Sequence, residues 1–304
     1  MKHVVVGSGP VGTATALLLA DRGDDVVIVT RSGAGPDHPR VRRVAADAVD
    51  ASRFGAIAEG AAAIYNCANP PYHRWTTDWP PLAASLLASA ERTGAVLAVV
   101  GNLYAYGPVE GPLTEDLPLL ASGPKGRVRA RMWTDALAAH AAGRVRVTEV
   151  RGSDYLCAGQ GSHLGDRVTP RVLAGRRVSV LRSADVQHTW TAVDDVARLL
   201  VAVAGDERAW GRAWHVPSNP PRTQREVIGD ICRVAGLDPV PVGEHPAWLM
   251  RTLGLVNPVI REFAEVRYQF ERPFVLDSSA AEHTFGLAPT PWDEVLARLV
   301  AAYR

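Results

Sequence analysis

Three glycines near the N-terminus have the spacing of a phosphate-binding loop. Gly7, Gly9 and Gly12 form a GxGxxG pattern between a β-branched run, His3–Val6, and an Ala- and Leu-rich stretch. The first glycine permits a tight turn, the second lets backbone approach a pyrophosphate, and the third allows close helix–strand packing. We therefore predict a dinucleotide at the N-terminus of a helix, the alternative being a glycine turn without a ligand. The predicted contacts are Gly7, Ser8, Gly9, Pro10, Val11 and Gly12.

The end of the second predicted strand carries the residues that select between the nicotinamide dinucleotides. Thr30, Arg31 and Ser32 occupy the place where an enzyme that uses NAD usually has an acidic residue against the ribose 2′-hydroxyl. An acidic side chain would repel a 2′-phosphate, whereas an Arg beside a hydroxyl can bind it through charge-assisted hydrogen bonds. The sequence predicts NADP(H), with NAD as the alternative. If Arg31 only ends a strand and points to water, the preference disappears.

The elements that position these residues alternate short β-branched runs with longer amphipathic stretches. This rhythm is typical of βαβ units and a parallel sheet. Glycines just past the apolar stretches mark helix ends. We predict an α/β fold, a Rossmann domain with a doubly wound parallel sheet over residues 1–155. Its predicted strands are His3–Val6, Asp25–Thr30, Ala62–Cys67, Ala95–Val100 and Val145–Val150, and its predicted helices include Val11–Arg22 and Leu82–Arg92.

The second half, residues 156–304, has a looser rhythm and is predicted to be a mixed region. Residues from about 185 to 216 complete the sheet, and the rest forms a smaller C-terminal substrate lobe. The stretch Asp238–Asp277 lacks βαβ rhythm and is predicted to belong to that lobe, covering the cofactor. The predicted elements are strands at Val178–Leu181 and Trp214–Val216 and helices at Val193–Ala204, Arg225–Ala235 and Trp292–Arg304.

Composition excludes several classes of partner. The 33 basic and 32 acidic side chains give a net charge of +1, so neither nucleic acid nor an anionic membrane is expected. The three cysteines are far apart, no apolar run reaches about 18 residues, and no signal peptide precedes the first strand. We expect a cytoplasmic protein that binds a small molecule. The nine histidines are dispersed, and no nucleophile elbow, P-loop or zinc motif is present, so no metal is expected.

The order of several further motifs is more specific than any one of them. These are Ala46-Asp47, Asn66-Cys67-Ala68-Asn69, Val99 to Pro108, Val193 to Ala197 and Phe285 to Pro289. Together with the glycine loop, this order resembles the extended short-chain dehydrogenase/reductase family, of the NAD-dependent epimerase/dehydratase type, over nearly the whole chain.

The resemblance implies where cofactor and substrate would lie. Asp47 and Ala48 would be near the adenine, although a solvated helix cap is the alternative for Asp47. Cys67 and Ala68 would pass under the cofactor ribose, and the substrate would sit between the nicotinamide and the C-terminal lobe. The family also implies a homodimer.

The chain departs from the family where the acid/base residues should be. Members usually carry Ser or Thr at the position of Asn102, followed by a YxxxK pair. The only lysines are Lys2 and Lys125, and Ala121 stands four residues before the second, so YxxxK is absent. The simplest register puts Lys125 at the tyrosine position and Arg129 at the lysine position.

Lys125 and Arg129 offer a replacement, because residues four apart share a helix face. The guanidinium and an oxidised nicotinamide would both disfavour a second positive charge, so Lys125 could serve as general acid or base while Arg129 holds an anionic group. The alternative is a solvated basic face. Tyr104, Tyr106 and Tyr155 are further candidates, each of which could also be a packing residue.

We hypothesise an NADP(H)-dependent oxidoreductase or epimerase-like enzyme that acts on a small polar metabolite. The missing YxxxK pair keeps two alternatives open, a non-catalytic dinucleotide-binding sensor and an isomerase or cyclase on the same fold. His188 could line the substrate pocket or be a satisfied structural residue. For residues 261–272, interleaved glutamates favour a salt-bridged amphipathic helix over a nucleic-acid patch.

Overall fold

The β-branched runs of the first half form a parallel sheet that is buried on both faces. The computed structural model describes residues 1–159, 162–245 and 265–304. Within these ranges the strands are β1 (Lys2–Val6), β2 (Asp25–Thr30), β3 (Val41–Ala45), β4 (Ala63–Asn66), β5 (Val96–Asn102), β6 (Arg146–Gly152), β7 (Asp154–Leu156), β8 (Val178–Val180), β9 (Trp190–Ala192), β10 (Arg212–His215) and β11 (Val242–Glu244).

Seven of these strands make the main sheet, in the order β10-β6-β5-β4-β1-β2-β3, and every pairing in it is parallel. The order reverses between β1 and β4, where Val6 is in register with Asn66. In open α/β sheets, ligands bind outside the carboxyl ends of the strands at such a switch point. The predicted fold class is confirmed.

Helices cover both faces of this sheet. In the described ranges they are α1 (Pro10–Asp21), α2 (Ala51–Ala58), α3 (Trp75–Thr93), α4 (Pro124–Ala141), α5 (Thr169–Leu173), α6 (Val193–Gly205), α7 (Gln224–Ala235), α8 (Ser279–Phe285) and α9 (Trp292–Ala301). One core joins α1 and α6 to the sheet through Leu19 and Leu199. On the other face, Phe54, Trp79 and Trp133 bring α2, α3 and α4 into a second core.

Helix α3 begins seven residues before its predicted start at Leu82, at Trp75. The prediction was wrong there because Pro80 and Pro81 indicate a break, whereas both prolines lie in the early turns of the helix. Trp75 and Trp79 are buried, and the burial of these two large rings offsets the poor propensity of proline. The other predicted strands and helices of the first half occur with end shifts of at most two residues.

The second half adds a smaller core beside the sheet. Ile228 of α7 and Leu296 of α9 pack there with Val180 of β8. Two short parallel pairs, β7 with β9 and β8 with β11, lie outside the main sheet. None of the helices in the described part of the chain combines the length and apolarity needed to cross a membrane.

The predicted helix over residues 261–272 lies partly outside the described residues. In the described part, a short 3-10 helix spans Arg267–Phe270. The glutamates of this stretch do form ion pairs, since Glu271 lies 3.2 Å from Arg182. Glu265 instead reaches the predicted active-site helix.

Candidate functional site

The candidate residues meet at the carboxyl edge of the sheet. Gly7 follows β1, Cys67 follows β4, Asn102 ends β5, and Tyr155 lies in β7, three residues after the end of β6. Because parallel strands end at one edge, the fold brings these separate motifs together.

The glycine loop has the geometry that a dinucleotide requires. Gly7 adopts φ +98°, and a Cβ there would lie 2.7 Å from the Cys67 carbonyl oxygen. A Cβ at Gly12 would collide with the carbonyl of Gly7. A Cβ at Gly9 would meet nothing within 4 Å, so the chain leaves this space open. Helix α1 begins at Pro10 without a side-chain cap, and its first N–H groups therefore suit a phosphate. These residues fit a dinucleotide.

The turn after β2 presents an exposed arginine. The Thr30 hydroxyl donates a 3.0 Å hydrogen bond to the Ala34 carbonyl, and the Ser32 hydroxyl accepts one from the Ala34 N–H at 3.3 Å. Arg31 and Ser32 are exposed at the tip of the turn. No acidic side chain ends β2, so nothing in the turn itself opposes a 2′-phosphate.

Asp47, one of the predicted cofactor contacts, lies before the start of α2. Asp47 is exposed and accepts a hydrogen bond from the Val49 N–H, but it does not cap α2. Asp50 does, accepting from the N–H groups of Ser52 and Arg53. The helix-cap alternative for Asp47 is therefore wrong, because the helix begins three residues later than that alternative requires. Its predicted adenine contact stays a prediction.

Ala48 and Cys67 are buried, and Ala68 is half-buried. Cys67 lies directly under the glycine loop, since its carbonyl and the backbone of Ala68 are the nearest atoms to a Cβ at Gly7. Burial raises the pKa of the Cys67 thiol to about 12. The thiol therefore packs as a small apolar group, and the predicted role of these residues under the ribose is sterically consistent.

Asn102 acts locally as a cap. Its Oδ1 accepts a hydrogen bond from the Tyr104 N–H at 3.2 Å and begins the 3-10 helix Leu103–Tyr106. Tyr104 is half-buried. Burial raises the pKa of its phenol well above the ordinary value, and neighbouring Tyr72 and Asp154 add to the shift. Tyr104 is therefore a protonated phenol in the predicted substrate cleft, which is the space between the carboxyl edge of the sheet and the C-terminal lobe.

Tyr106 belongs to a buried polar network. Its hydroxyl accepts a 2.7 Å hydrogen bond from Arg151 and contacts His215 Nε2 at 2.8 Å. Arg151 also pairs with Glu149, and His215 Nδ1 bonds the Asp277 carbonyl. Burial raises the pKa of Tyr106 to about 12 and lowers that of His215 to about 4. With its hydrogen-bonding capacity used inside the protein, Tyr106 is a structural residue.

Lys125 is buried, which contradicts a solvated basic face. Its side chain is 3% exposed, its Nζ lies 3.6 Å from Glu265 Oε2, and it stands 4.5 Å from the centroid of the Tyr72 ring. The same carboxylate accepts hydrogen bonds from the backbone N–H groups of Lys125 and Gly126. Sequence reasoning missed Glu265 and Tyr72, and nothing in their local patterns indicates this role.

Arg129 is also buried but serves α3. Its guanidinium lies 4.7 Å from the Trp75 ring and 4.3 Å from the Trp79 ring, and Nη1 donates to the Val100 carbonyl. Burial lowers its pKa. These contacts are the surroundings of a packing residue, and the predicted hold on an anionic group is not among them.

Tyr155 lies between the sheet edge and the cleft. Its hydroxyl donates a 3.3 Å hydrogen bond to the Gly101 carbonyl, and its ring contacts the position of a Cβ at Gly152. Burial raises its pKa, opposed by Arg129. The phenol stays protonated at neutral pH, and its proton is donated to the Gly101 carbonyl.

A cavity of about 440 Å³ opens between α3 and α4. Its lining is mainly apolar, including Leu97, Val99 and Met132, with Glu149 and Asn66 among the polar groups. No residue of the glycine loop lines it, so this cavity is separate from the candidate cofactor site.

The sequence matches the model of a known protein family. Residues 4–216 match the sequence model of the NAD dependent epimerase/dehydratase family. A search of curated protein sequences gives no significant match.

Solved structures share the fold at low sequence identity. UDP-glucose 4-epimerase from Thermotoga maritima, solved with UDP-glucose, has a TM-score of 0.81 and 18% identity over 100% of this chain and 98% of that chain. dTDP-glucose 4,6-dehydratase from Streptomyces venezuelae, solved with NAD, has a TM-score of 0.76 and 21% identity over 100% and 97%. UDP-glucuronic acid 4-epimerase from Bacillus cereus, in complex with NAD, has a TM-score of 0.78 and 15% identity over 100% and 96%.

Proposed function

The chain belongs to the NAD-dependent epimerase/dehydratase family, and from this premise we propose that it is an NADP(H)-dependent oxidoreductase or epimerase-like enzyme acting on a small polar metabolite. The observation that carries the proposal is the glycine loop, where Gly9 faces open space at the uncapped start of α1. The open space beside Gly9 and the first N–H groups of α1 support a pyrophosphate at this place.

The preference for NADP(H) rests on the turn after β2. Arg31 and Ser32 are exposed side by side, and no carboxylate ends the strand. A guanidinium and a hydroxyl can together hold a 2′-phosphate through charge-assisted hydrogen bonds. The two dehydratase and epimerase structures solved with NAD make NAD the alternative cofactor.

The protein must place a proton donor near the substrate oxygen. A bound nicotinamide supplies the hydride chemistry, and the side chains orient the substrate and move the proton. Lys125 is the first candidate, because it is a buried ammonium at the start of α4. Tyr155, a half-buried protonated phenol in β7, is the second.

The ion pair between Lys125 and Glu265 supports the alternative hypothesis of a dinucleotide sensor. If the ion pair holds the ammonium away from substrate, the chain binds the dinucleotide without hydride transfer and acts as a sensor. The two hypotheses differ in one observable, which is reduction of a carbonyl substrate by bound NADPH.

Single-turnover kinetics tests the proposal. NADPH oxidation is followed over a panel of small carbonyl compounds and nucleotide sugars, with NADPH affinity measured in parallel to separate chemistry from binding. Loss of the proton donor, in Lys125→Met or Tyr155→Phe, should slow the chemical step by about 10²–10⁴-fold. Lys2→Met is the matched control, because Lys2 bonds the carbonyls of Ile57 and Glu59 away from the cleft.

If neither variant slows the step by about tenfold, both assignments are wrong. If NADPH binds and no member of the panel is reduced, the sensor hypothesis replaces the enzyme.

A further inference from the structure

His188 is fixed at the boundary between the sheet and the C-terminal lobe. Its backbone exchanges hydrogen bonds with Arg222, and its ring is 1% exposed. The ring stacks on Phe270 at 4.9 Å and 12° and on Phe274 at 5.4 Å and 25°. These contacts leave the imidazole one orientation.

Both nitrogens of this ring face hydrogen-bond acceptors. Nδ1 lies 3.1 Å from the Gln269 carbonyl oxygen, and Nε2 lies 2.7 Å from Asp154 Oδ2. The Asp154 carboxylate, whose pKa is lowered by contact with His188, can only accept, and the Ser153 hydroxyl lies 3.4 Å from the same Nε2. The Nε2–H group of His188 therefore donates to Asp154 and orients its carboxylate.

Asp154 is the member of this pair that reaches the cleft. It begins β7 two residues after the end of β6, and its side chain is 23% exposed. Among the described residues, its second oxygen, Oδ1, accepts no hydrogen bond. Tyr104 and Tyr155, the two candidate phenols, lie close enough for Asp154 to raise the pKa of each.

Contact with His188 keeps the Asp154 carboxylate ionised despite its burial. Burial alone would raise the pKa of Asp154, but the hydrogen bond and charge of His188 outweigh it and lower the pKa. His163 stacks on the same Phe270 ring at 4.5 Å but bonds the neutral amide of Gln224. Burial lowers the pKa of His163 to about 4, so it is a neutral imidazole.

We propose that Asp154 is a substrate-contacting hydrogen-bond acceptor in the cleft and that His188 is the positioning residue that orients it. The inference rests on the proposed function, because it assigns a specificity element to the same cleft. A carboxylate with one oxygen tied to His188 offers the other to a hydroxyl or an ammonium group of the substrate. It repels a carboxylate or phosphate at that position.

The proposal gives Asp154 a different role from those of Tyr155 and Lys125. Tyr155 and Lys125 carry protons, whereas Asp154 has none to give at neutral pH. It therefore holds a hydroxyl or amine that does not react, and its loss should raise KM much more than it lowers kcat. A merely structural residue would not produce this split.

Nitrogen-15 NMR of the histidine rings tests the pair without any substrate. In the wild type at pH 7.5, Nε2 of His188 should carry a proton. In Asp154→Asn, the Nε2–H resonance of His188 should shift while the His163 resonances stay as they were, which makes His163 the control within the same spectrum. An unprotonated Nε2 in the wild type, or an Nε2–H resonance that Asp154→Asn leaves unchanged, would overturn the proposal.

Binding of UDP-glucose to the NADP-loaded protein tests the contact. The sugar should shift the Nε2–H resonance of His188, and Asp154→Asn should weaken binding by about 10- to 100-fold, the loss of one charged hydrogen bond. Asp185→Asn, on a surface ion pair with Arg225, is the matched control. An unshifted resonance, or equal binding by wild type and Asp154→Asn, would overturn the proposal.

These results are separable from the proposed function. Binding of UDP-glucose through Asp154 without any hydride transfer would contradict the enzyme and leave this inference standing. Hydride transfer with unchanged KM in Asp154→Asn would contradict this inference alone.

Discussion

The Glu265 carboxylate caps helix α4, accepting hydrogen bonds from the Lys125 N–H at 2.8 Å and the Gly126 N–H at 3.2 Å. The helix has no side-chain cap of its own, because its N-cap residue is Gly123. A carboxylate is favourable there, since it satisfies free N–H groups and complements the helix dipole. It also pairs with the Lys125 ammonium, so a single side chain fixes both the start of the helix and its candidate acid.

Removing this cap should destabilise the fold. Glu265→Ala removes both the carboxylate that pairs with the buried Lys125 and the cap of α4, and should lower the free energy of unfolding by about 3 kcal/mol or more. Urea denaturation measures the change. Glu271→Ala is the control, because its ion pair with Arg182 lies at the surface and should contribute less than about 1 kcal/mol. Equal losses of unfolding free energy in the two variants would show that Glu265 stabilises the fold no more than a surface ion pair does.

A side chain at Gly9 should block the cofactor and spare the fold. A Cβ there meets no protein atom within 4 Å, so Gly9→Val should fold normally. The valine would fill the space needed for backbone to approach the pyrophosphate, and NADPH binding should be lost. Circular dichroism and a fluorescence titration with NADPH measure both properties.

Gly229→Val is the matched control, because Gly229 is exposed on α7 and a Cβ there also meets nothing within 4 Å. Its NADPH affinity should equal that of the wild type. Tight binding by a folded Gly9→Val protein would remove the loop from the cofactor site.

Stability should fall as the pH is lowered from 6.5 towards 4. Burial lowers the pKa of both His163 and His215 to about 4, so the unfolded chain binds protons in this range that the folded chain does not. Each histidine should cost about 1.4 kcal/mol per pH unit within the window. Denaturation between pH 5 and 6.5 should show that His163→Gln loses one such contribution to the slope. Parallel curves for variant and wild type would refute the shift.

Local sequence patterns could predict the residues that act within one element or one turn. The glycine loop, the strand ends and the loss of YxxxK are all readable because each spans about a dozen residues or fewer. Lys125 lies on a helix as predicted, since that placement follows from spacing along one element, and its catalytic role stays a prediction.

The contacts that define the cleft could not be predicted in this way. Glu265 is 140 residues from Lys125, and His188 is 34 residues from Asp154. Such pairs depend on how the lobe packs against the sheet. Arg129 shows the same limit, because a helical face can be predicted but its stacking on Trp75 depends on a helix start that the prolines obscure.

Competitive titration of NADPH and NADH tests the central claim most directly, because the NADP(H) assignment depends on Arg31 alone among the charged residues of its turn. The wild type should bind NADPH more tightly, and Arg31→Ala should reduce that preference by about 10- to 150-fold, as expected for a charged hydrogen bond of about 1.5–3 kcal/mol. Arg40→Ala, which breaks a surface ion pair with Asp25, is the control and should leave the preference unchanged. Equal affinities of the wild type for NADPH and NADH would contradict the account.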